Sequence, residues 1–289
     1  MIYFLFLFLI SYLSVNYEKY KDIKNLEILI FFTLFLIIGL RFRTGGDFRP
    51  YIDTFDRLSL LPPPDFFKLF DVLNYLSHIL GLNLFGVNIF CSFLFICPLY
   101  FFLKKFKNIY LSLVLAFPVI VMVYGLGSIR QGIALALFLS IVSLRYQIQK
   151  ILILLIGLLF HASSIINISI YVLSSYRNKY AMYASLIIFI MMTIFFNHYY
   201  LGFIKYYVVQ STYTSSGFIF RNAPTFICAI IYCKFYFSNN LIMSESFNKI
   251  FLIISLYSLV VFPLGFFYST AADRVMAYFL PLQLSLIHI

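Results

Sequence analysis

Tryptophan is absent from the 289-residue chain, and charged residues make up only 11% of it. A soluble domain is about half apolar and about a quarter charged, whereas 63% of this chain is hydrophobic and its mean hydropathy is +0.97. The shortage of charge excludes a water-soluble enzyme, a disordered chain and a coiled coil. Since a membrane-spanning helix takes about 20 apolar residues, we predict a single polytopic membrane domain over residues 1–289, with on the order of ten spans.

Several catalytic and ligand-binding motifs are also missing. The chain has no D-x-D triplet, Walker loop, H-E-x-x-H or nucleophile elbow, so we expect no ATP, metal-bound nucleotide-sugar, metal or other cofactor. Its four cysteines show no metal-ligand spacing, and we expect no disulfide framework from them. A net charge of +11 would suggest nucleic acid in a soluble protein. In a membrane protein the meaning of the positive charge depends on the side of the membrane on which each basic residue lies. We therefore expect no nucleic-acid partner.

The apolar runs are nearly continuous and lack the alternation of strands, so we predict an all-α fold. Two connections are long, residues 42–83 and residues 198–221, and both are predicted to be extracytoplasmic loops. The N-terminal run lacks a basic segment and a cleavage site, so we expect it to be retained as the first helix. The predicted helical runs are 1–16, 26–41, 84–103, 109–125, 129–146, 151–173, 180–197, 222–238, 249–267 and 274–289.

The distribution of lysine and arginine predicts the orientation. Short basic loops such as 104–107 and 145–150 belong in the cytoplasm. If the chain turns back near His161, inside the run 151–173, ten of the twelve lysines are cytoplasmic and seven of the nine arginines lie outside. With one straight span the basic residues split 11 to 10 and show no bias. We therefore predict a broken, re-entrant pair of helices around His161, since halves of about 11 residues rise only ~17 Å and cannot cross fully.

Outer arginines run against the positive-inside tendency, so another role must favour them. Guanidinium groups bind phosphate oxygens bidentately and stay charged at any pH. The first cluster of such residues is Arg41, Arg43, Gly45, Asp47 and Tyr51, in a loop whose glycines permit close backbone approach. It is either an anion-binding pocket at the membrane surface or a solvated loop with local Arg–Asp pairs.

A second and a third cluster lie farther along the chain. Arg130 and Gln131 open an apolar helix that Ser128 could cap. The helix dipole opposes an arginine there, so Arg130 either snorkels or, as Gln131 suggests, faces inward. His161, followed by Ser163, lies inside an apolar run, where an ionisable residue is a candidate for proton transfer; a histidine satisfied by a neighbouring carbonyl is the alternative.

The fourth cluster is Asp273, Arg274 and Tyr278, at the start of the last predicted helix. Asp273 could stabilise the helix N-terminus as a cap, but that explanation does not extend to Arg274. In the turn-back topology all four clusters face the outer side, and this convergence is a second reason to prefer that topology.

In this order, the clusters resemble the EpsG family of polysaccharide polymerases, akin to the Wzy O-antigen polymerase. The resemblance covers about residues 30–280 and implies a GT-C-like multi-pass protein of the bacterial inner (cytoplasmic) membrane. The matching motifs are Arg41-x-x-x-Gly45-x-Asp47-x-x-x-Tyr51, Ile129-Arg130-Gln131-x-x-Ala134, His161-x-Ser163 and Arg274-x-x-x-Tyr278.

The resemblance implies a metal-independent glycosyl transfer on the periplasmic face, which moves the growing glycan from undecaprenyl pyrophosphate onto the next lipid-linked repeat unit. The catalytic assignments are Arg130 and Arg274 for the pyrophosphates and His161 or Asp47 for the acceptor proton. The substrate-binding assignments are Arg41, Arg43, Gly45, Tyr51, Gln131, Ser163, Asp273 and Tyr278. The implied partners are the lipid-linked oligosaccharide and the bilayer, with a chain-length regulator and a flippase as further candidates.

Two other classes remain alternatives. A lipid-linked oligosaccharide flippase or transporter would also need a cationic cavity, but transporters usually show internal repeats and ionisable groups near the midplane. Another membrane glycosyl- or acyltransferase could use an intramembrane histidine, but no second His or Asp stands at helical spacing around His161.

Overall fold

The computed structural model describes residues 2–23, 25–59, 68–175, 215, 217–238 and 245–285. Every regular element among these residues is helical, so the all-α prediction is confirmed for them. The α-helices are α1 (Ile2–Val15), α2 (Tyr17–Tyr20), α3 (Leu26–Gly39), α4 (Phe48–Ser59), α5 (Leu69–Ile79), α6 (Leu84–Leu103), α7 (Ile109–Ala116), α8 (Ile129–Ser140), α9 (Gln147–Phe160), α10 (Ile165–Ser175), α11 (Phe218–Phe237), α12 (Glu245–Leu264), α13 (Ser269–Met276) and α14 (Leu282–Ser285).

Three segments of the described chain are long and apolar enough to cross a membrane: Leu84–Leu103, Phe218–Phe237 and Phe247–Leu264. Twenty helical residues span about 30 Å, the thickness of the hydrocarbon core. Shorter apolar helices, including α1, α3, α9 and α10, accompany them. These are the helices of a multi-pass membrane protein. The three long helices match the predicted runs 84–103, 222–238 and 249–267, whereas the predicted run 180–197 lies outside the described residues.

The connection 42–83 differs from the loop that was expected, because it contains the two helices α4 and α5. Helix α4 buries Tyr51 and Leu58, seven residues apart on one face, and exposes charged residues such as Arg49 and Asp53. This is the period of an amphipathic helix, and the charged face hid it from a search for continuous apolar runs. The connection 198–221 lies mostly outside the described residues, and α11 begins within it at Phe218.

The last predicted run, 274–289, is wrong as a single helix. Helix α13 begins earlier, at Ser269, and ends at Met276, where a 3₁₀ turn follows over Ala277–Phe279. Pro281 stands directly before α14. Proline has no N–H for the helical ladder and its ring clashes with the preceding turn, so one continuous helix is interrupted there.

Helix α7 continues into a π-helical segment, Phe117–Gly125. The wider winding is seen where Leu126 N donates to Val121 O and Ser128 N donates to Val123 O, both at 3.0 Å. π-Helical segments are rare in proteins, and those that occur are often found at functional sites. Here the π-helical segment delivers the chain into the turn that precedes α8.

The chain forms two compact units, residues 1–164 and 165–289, each described by itself. In the first unit α3 packs against α6, which packs against α8. Glu27, near the start of α3, lies 3.6 Å from Lys104, at the end of α6, so the two helices are antiparallel. Arg41 follows the opposite end of α3. Lysine and arginine are therefore separated to opposite ends of this helix pair.

In the second unit α11 packs against α12, and α13 and α14 pack onto these two helices. Helix α10 also lies against α12. Asn222 and Thr225 of α11, with Ser255 of α12, are buried in this unit.

The predicted break at His161 is confirmed. Helix α9 ends at Phe160, His161 has an extended backbone with φ −152° and ψ 116°, and a 3₁₀ turn over Ala162–Ser164 leads into α10. The return of the chain to the cytoplasm stays a prediction, because Arg177 and Lys179 lie outside the described residues.

Candidate anion-binding site

Arg41 lies at the end of the α3–α6 pair opposite to Lys104, which we call the arginine end of the first unit. Only 5% of Arg41 is exposed. Its Nη1 donates to Gly125 O at 2.6 Å and to Leu126 O at 3.1 Å, and its Nη2 donates to Asn88 Oδ1 at 3.2 Å. Arg41 therefore ties the end of α3 to the end of the π-helical segment and to α6. With three neutral acceptors on its guanidinium, Arg41 holds the loop in place and adds positive charge nearby.

Gly45 lies directly against the same turn. Its φ is +89°, and a Cβ there would collide with Leu126 O and lie 2.6 Å from Gly127 Cα. Only glycine combines this φ with such close approach of two backbones. The loop that carries Asp47 is thus fixed against the turn that leads into α8.

Arg130, in the first turn of α8, is half-buried. Its Cζ lies 5.6 Å from the ring centroid of Tyr51 and 5.3 Å from that of Phe70. Within the part of the chain that the structure describes, no carboxylate forms an ion pair with Arg130. We call Tyr51 and Phe70 the aromatic bracket of Arg130. The bracket holds a cation by its faces without neutralising it.

Tyr51 links both arginines to Asp47. Its hydroxyl donates to Asp47 Oδ2 at 3.4 Å, and its ring lies 6.0 Å from Arg41 Cζ. Burial, reinforced by the negative charge of Asp47, raises the pKa of Tyr51 to about 12 despite the opposing effect of Arg130 and Arg41. Tyr51 is therefore a neutral hydrogen-bonding group over the physiological range.

His161 lies at the same end of the unit as Arg130. Helices α8 and α9 are joined by a short connection and pack together, with Gly157 against Ala134. The two helices run antiparallel. One turn before Ala134 on α8 is Arg130, and one turn after Gly157 on α9 is His161, so both lie in the same direction from the contact. His161 Nδ1 lies 2.6 Å from Ser163 Oγ. A histidine and an arginine thus stand at one end of a helix pair.

The second unit holds a separate polar cluster around Asp273. Arg221 donates to its carboxylate from Nη2 at 2.6 Å and from Nε at 3.3 Å. Asn222 Nδ2 and Ser215 Oγ donate to it at 2.8 and 2.9 Å. Asp273 lies in the second turn of α13, which begins at Ser269, so the predicted capping role is wrong. Its four acceptor positions are occupied, and it serves as an anchor for Arg221.

The structure places the remaining predicted site residues as follows. Arg43 is exposed, with a left-handed φ of 52°, and its Cζ lies 5.2 Å from the Phe42 ring. Arg274 is exposed on α13, and Tyr278 is fully buried after it. Gln131 is buried, in keeping with the inward-facing interpretation.

Ser128 makes no side-chain capping bond to α8, so that prediction is wrong. Its backbone, with φ −99° and ψ 65°, lies outside the extended region from which a capping side chain usually reaches the first helical N–H groups. Among the described residues, no group of three or more His, Cys, Asp or Glu is placed to hold a metal ion.

Comparison with known proteins identifies the group to which this arrangement belongs. The model of the EpsG family matches residues 24–289. The chain belongs to the EpsG family. No curated protein and no solved structure matches it. Its EpsG-family membership associates the chain with exopolysaccharide biosynthesis. The match spans both compact units, so the arginine end of the first unit and the Asp273 cluster both belong to the EpsG-type chain.

Three residues of this EpsG-family chain were not predicted as site residues: Phe70, Asn88 and Arg221. The sequence could have identified Arg221 as a site residue. Arg221-Asn222 repeats the pattern of Arg130-Gln131, a cation and an amide near the start of an apolar helix. Phe70 and Asn88 had no such signal, since a phenylalanine in a connection and an asparagine in an apolar run are both common, and only the packing brings them to the arginines.

Proposed function

We propose that this EpsG-family protein is a surface-polysaccharide polymerase of the Wzy type. It would join oligosaccharide repeat units carried by undecaprenyl pyrophosphate, at the outer face of the bacterial inner membrane. The observation that carries the proposal is Arg130, a half-buried guanidinium held by aromatic faces and without an ion-pair partner among the described residues.

The charge balance around Arg130 supports an anionic ligand. Arg41 and Arg130 both approach Tyr51, whereas Asp47 is the carboxylate that Tyr51 contacts. Two cations and one anion leave a local excess of positive charge in partly buried surroundings. Such an excess is costly without a counter-ion, and a diphosphate offers oxygens that match the planar fork of a guanidinium.

The chemistry proposed for the site is a displacement at the anomeric carbon. An acceptor sugar hydroxyl forms the new C–O bond as the bond from the anomeric carbon to the diphosphate oxygen breaks. The electron pair leaves on undecaprenyl diphosphate, and Arg130 stabilises its developing charge. The acceptor proton passes to Asp47 or His161. The assignment of Arg274 to a diphosphate stays a prediction from the family resemblance.

Complementation of a polymerase-deficient strain tests this proposal. Losing one preorganised donor to developing charge lowers a rate by about 10²–10³-fold, so Arg130→Ala should leave surface glycan as single repeats. Arg130→Lys should rescue it only partly, because an ammonium lacks the bidentate fork. Arg145→Ala is the matched control, since this exposed arginine follows the opposite end of α8, and it should give long chains.

The glycan pattern also separates the competing classes. A flippase defect would leave lipid-linked repeats on the inner side, whereas a polymerase defect exports single repeats. Normal long chains from Arg130→Ala would remove Arg130 from the mechanism. For the topology, a reporter fused after Lys179 should read cytoplasmic, and an extracytoplasmic reading would contradict the turn-back at His161.

A further inference from the structure

Helix α5 brings one aromatic side chain to the arginine end of the first unit. The ring centroid of Phe70 lies 5.3 Å from Arg130 Cζ and 5.1 Å from the ring centroid of Tyr51. Only 3% of Phe70 is exposed. Phe70 lies outside every motif in which the predicted site residues occur, and it reaches Arg130 from the connection that was expected to be a loop.

We propose that Phe70 is a positioning residue that holds the Arg130 guanidinium in the orientation required to bind a diphosphate. The proposal rests on the proposed function and adds to it a residue that acts through Arg130. An aromatic face attracts a cation by its quadrupole and leaves the N–H edges of the guanidinium open. A carboxylate in the same place would also hold the arginine, but it would compete with the phosphate oxygens for those edges.

The surroundings of Phe70 make it suitable for this role. Asn74 Nδ2 donates to Phe70 O at 2.6 Å, one turn along α5. Ser77 Oγ donates to Leu82 O at 3.3 Å and to Asn83 O at 3.1 Å, which fixes the end of the helix. Phe70, Asn74 and Ser77 form the buried face of α5. The ring is therefore carried on an anchored helix and not on a loose connection.

Tyr51 is the second ring of the bracket and differs from Phe70 in kind. Its hydroxyl also donates to Asp47 Oδ2 and its ring also lies 6.0 Å from Arg41 Cζ, so changing it would disturb several contacts at once. Phe70 contributes only its ring and its packing. This makes Phe70 the cleaner position at which to test whether the ring's electrons hold Arg130.

The experiment replaces Phe70 by phenylalanines that carry one to five ring fluorines, in the full-length purified protein in detergent. Fluorine withdraws electron density from the ring face and changes its size only slightly. The measured quantity is the affinity for inorganic pyrophosphate, with the Michaelis constant for the lipid-linked substrate measured in parallel. A cation–π contact of ordinary strength predicts a stepwise loss of affinity, reaching roughly 3- to 30-fold at full fluorination. The Michaelis constant should rise in the same steps.

The matched control is the same series at Phe102, which is fully buried in α6 and packs against Phe106 at 5.2 Å. Unchanged pyrophosphate affinity along the Phe70 series, or an equal loss along the Phe102 series, would overturn the positioning role. Arg130→Ala distinguishes the two proposals. If it abolishes pyrophosphate binding while the Phe70 series has no effect, the proposed function stands and this inference fails. If Arg130→Ala binds pyrophosphate normally, both fail.

Discussion

The neighbouring glycines Gly45 and Gly46 offer a sharp test of how the arginine end is held together. An alanine at Gly45 would need a left-handed φ of +89°, and its Cβ would lie 2.6 Å from Gly127 Cα. Ordinary van der Waals contact needs about 3.5–4 Å, so the loop and the turn must separate by about 1 Å. The Arg41 bonds to Gly125 O and Leu126 O, now 2.6 and 3.1 Å, would be broken or strained.

The magnitude follows from these two effects. A left-handed alanine costs about 1–2 kcal/mol, and a weakened bond to a charged donor about 1–3 kcal/mol more, so Gly45→Ala should lower the free energy of unfolding by about 2–5 kcal/mol. A displacement of about 1 Å can lower a rate by roughly 10²-fold. The assays are thermal unfolding in detergent and the length of glycan made in a polymerase-deficient strain.

Gly46→Ala is the control, because a Cβ there meets no atom within 4 Å and its φ is not left-handed. It should change the free energy of unfolding by less than about 0.5 kcal/mol and leave long glycan chains. Equal behaviour of the two variants, or a normal Gly45→Ala protein, would refute the close approach of the loop to the turn before α8.

Two further predictions concern the same cluster. Arg41→Ala leaves three buried acceptors without their donor, so we expect the free energy of unfolding to fall by about 3–5 kcal/mol, measured by chemical denaturation in detergent; Arg43→Ala, at an exposed position, should change it little. The pKa of Tyr51 is raised to about 12 in the folded state against about 10 in the unfolded state. The contribution of neutral Tyr51 to the free energy of unfolding is therefore complete below pH 10 and is lost between pH 10 and 12. Stability should fall less steeply across that window in Tyr51→Phe than in the wild-type protein, and parallel profiles would contradict the assigned burial.

Much of the architecture could be predicted from sequence because it follows from composition. Long apolar runs without strand periodicity can only be helices in a bilayer, and α6, α11 and α12 match the runs predicted for them. The break at His161 was inferred from the distribution of lysine and arginine and from the convergence of the four clusters on one side, and it is present in the backbone. Helices α4 and α5 were missed, since their apolar positions recur at helical spacing between charges and do not form a run.

The site was only partly predictable, for a physical reason. Arg41, Gly45, Asp47, Tyr51 and Arg130 are unusual residues for an apolar chain, and the fold of the first unit brings them together. What each residue does depends on contacts that sequence spacing does not encode. The guanidinium of Arg41 is occupied by backbone carbonyls whose position depends on the π-helical winding.

The bond from Arg41 to Gly125 joins residues 84 positions apart, which has a consequence for biosynthesis. At about 5–20 residues per second, Arg41 is synthesised roughly 4–17 s before Gly125. During that interval the guanidinium of Arg41 must stay hydrated at the membrane surface, because an unpaired arginine is costly in the hydrocarbon. The arginine end therefore closes late in synthesis, after α6 and α7 have been inserted. A ribosome stalled before residue 125 would hold an open intermediate whose Arg41 is still exposed to a water-soluble arginine reagent.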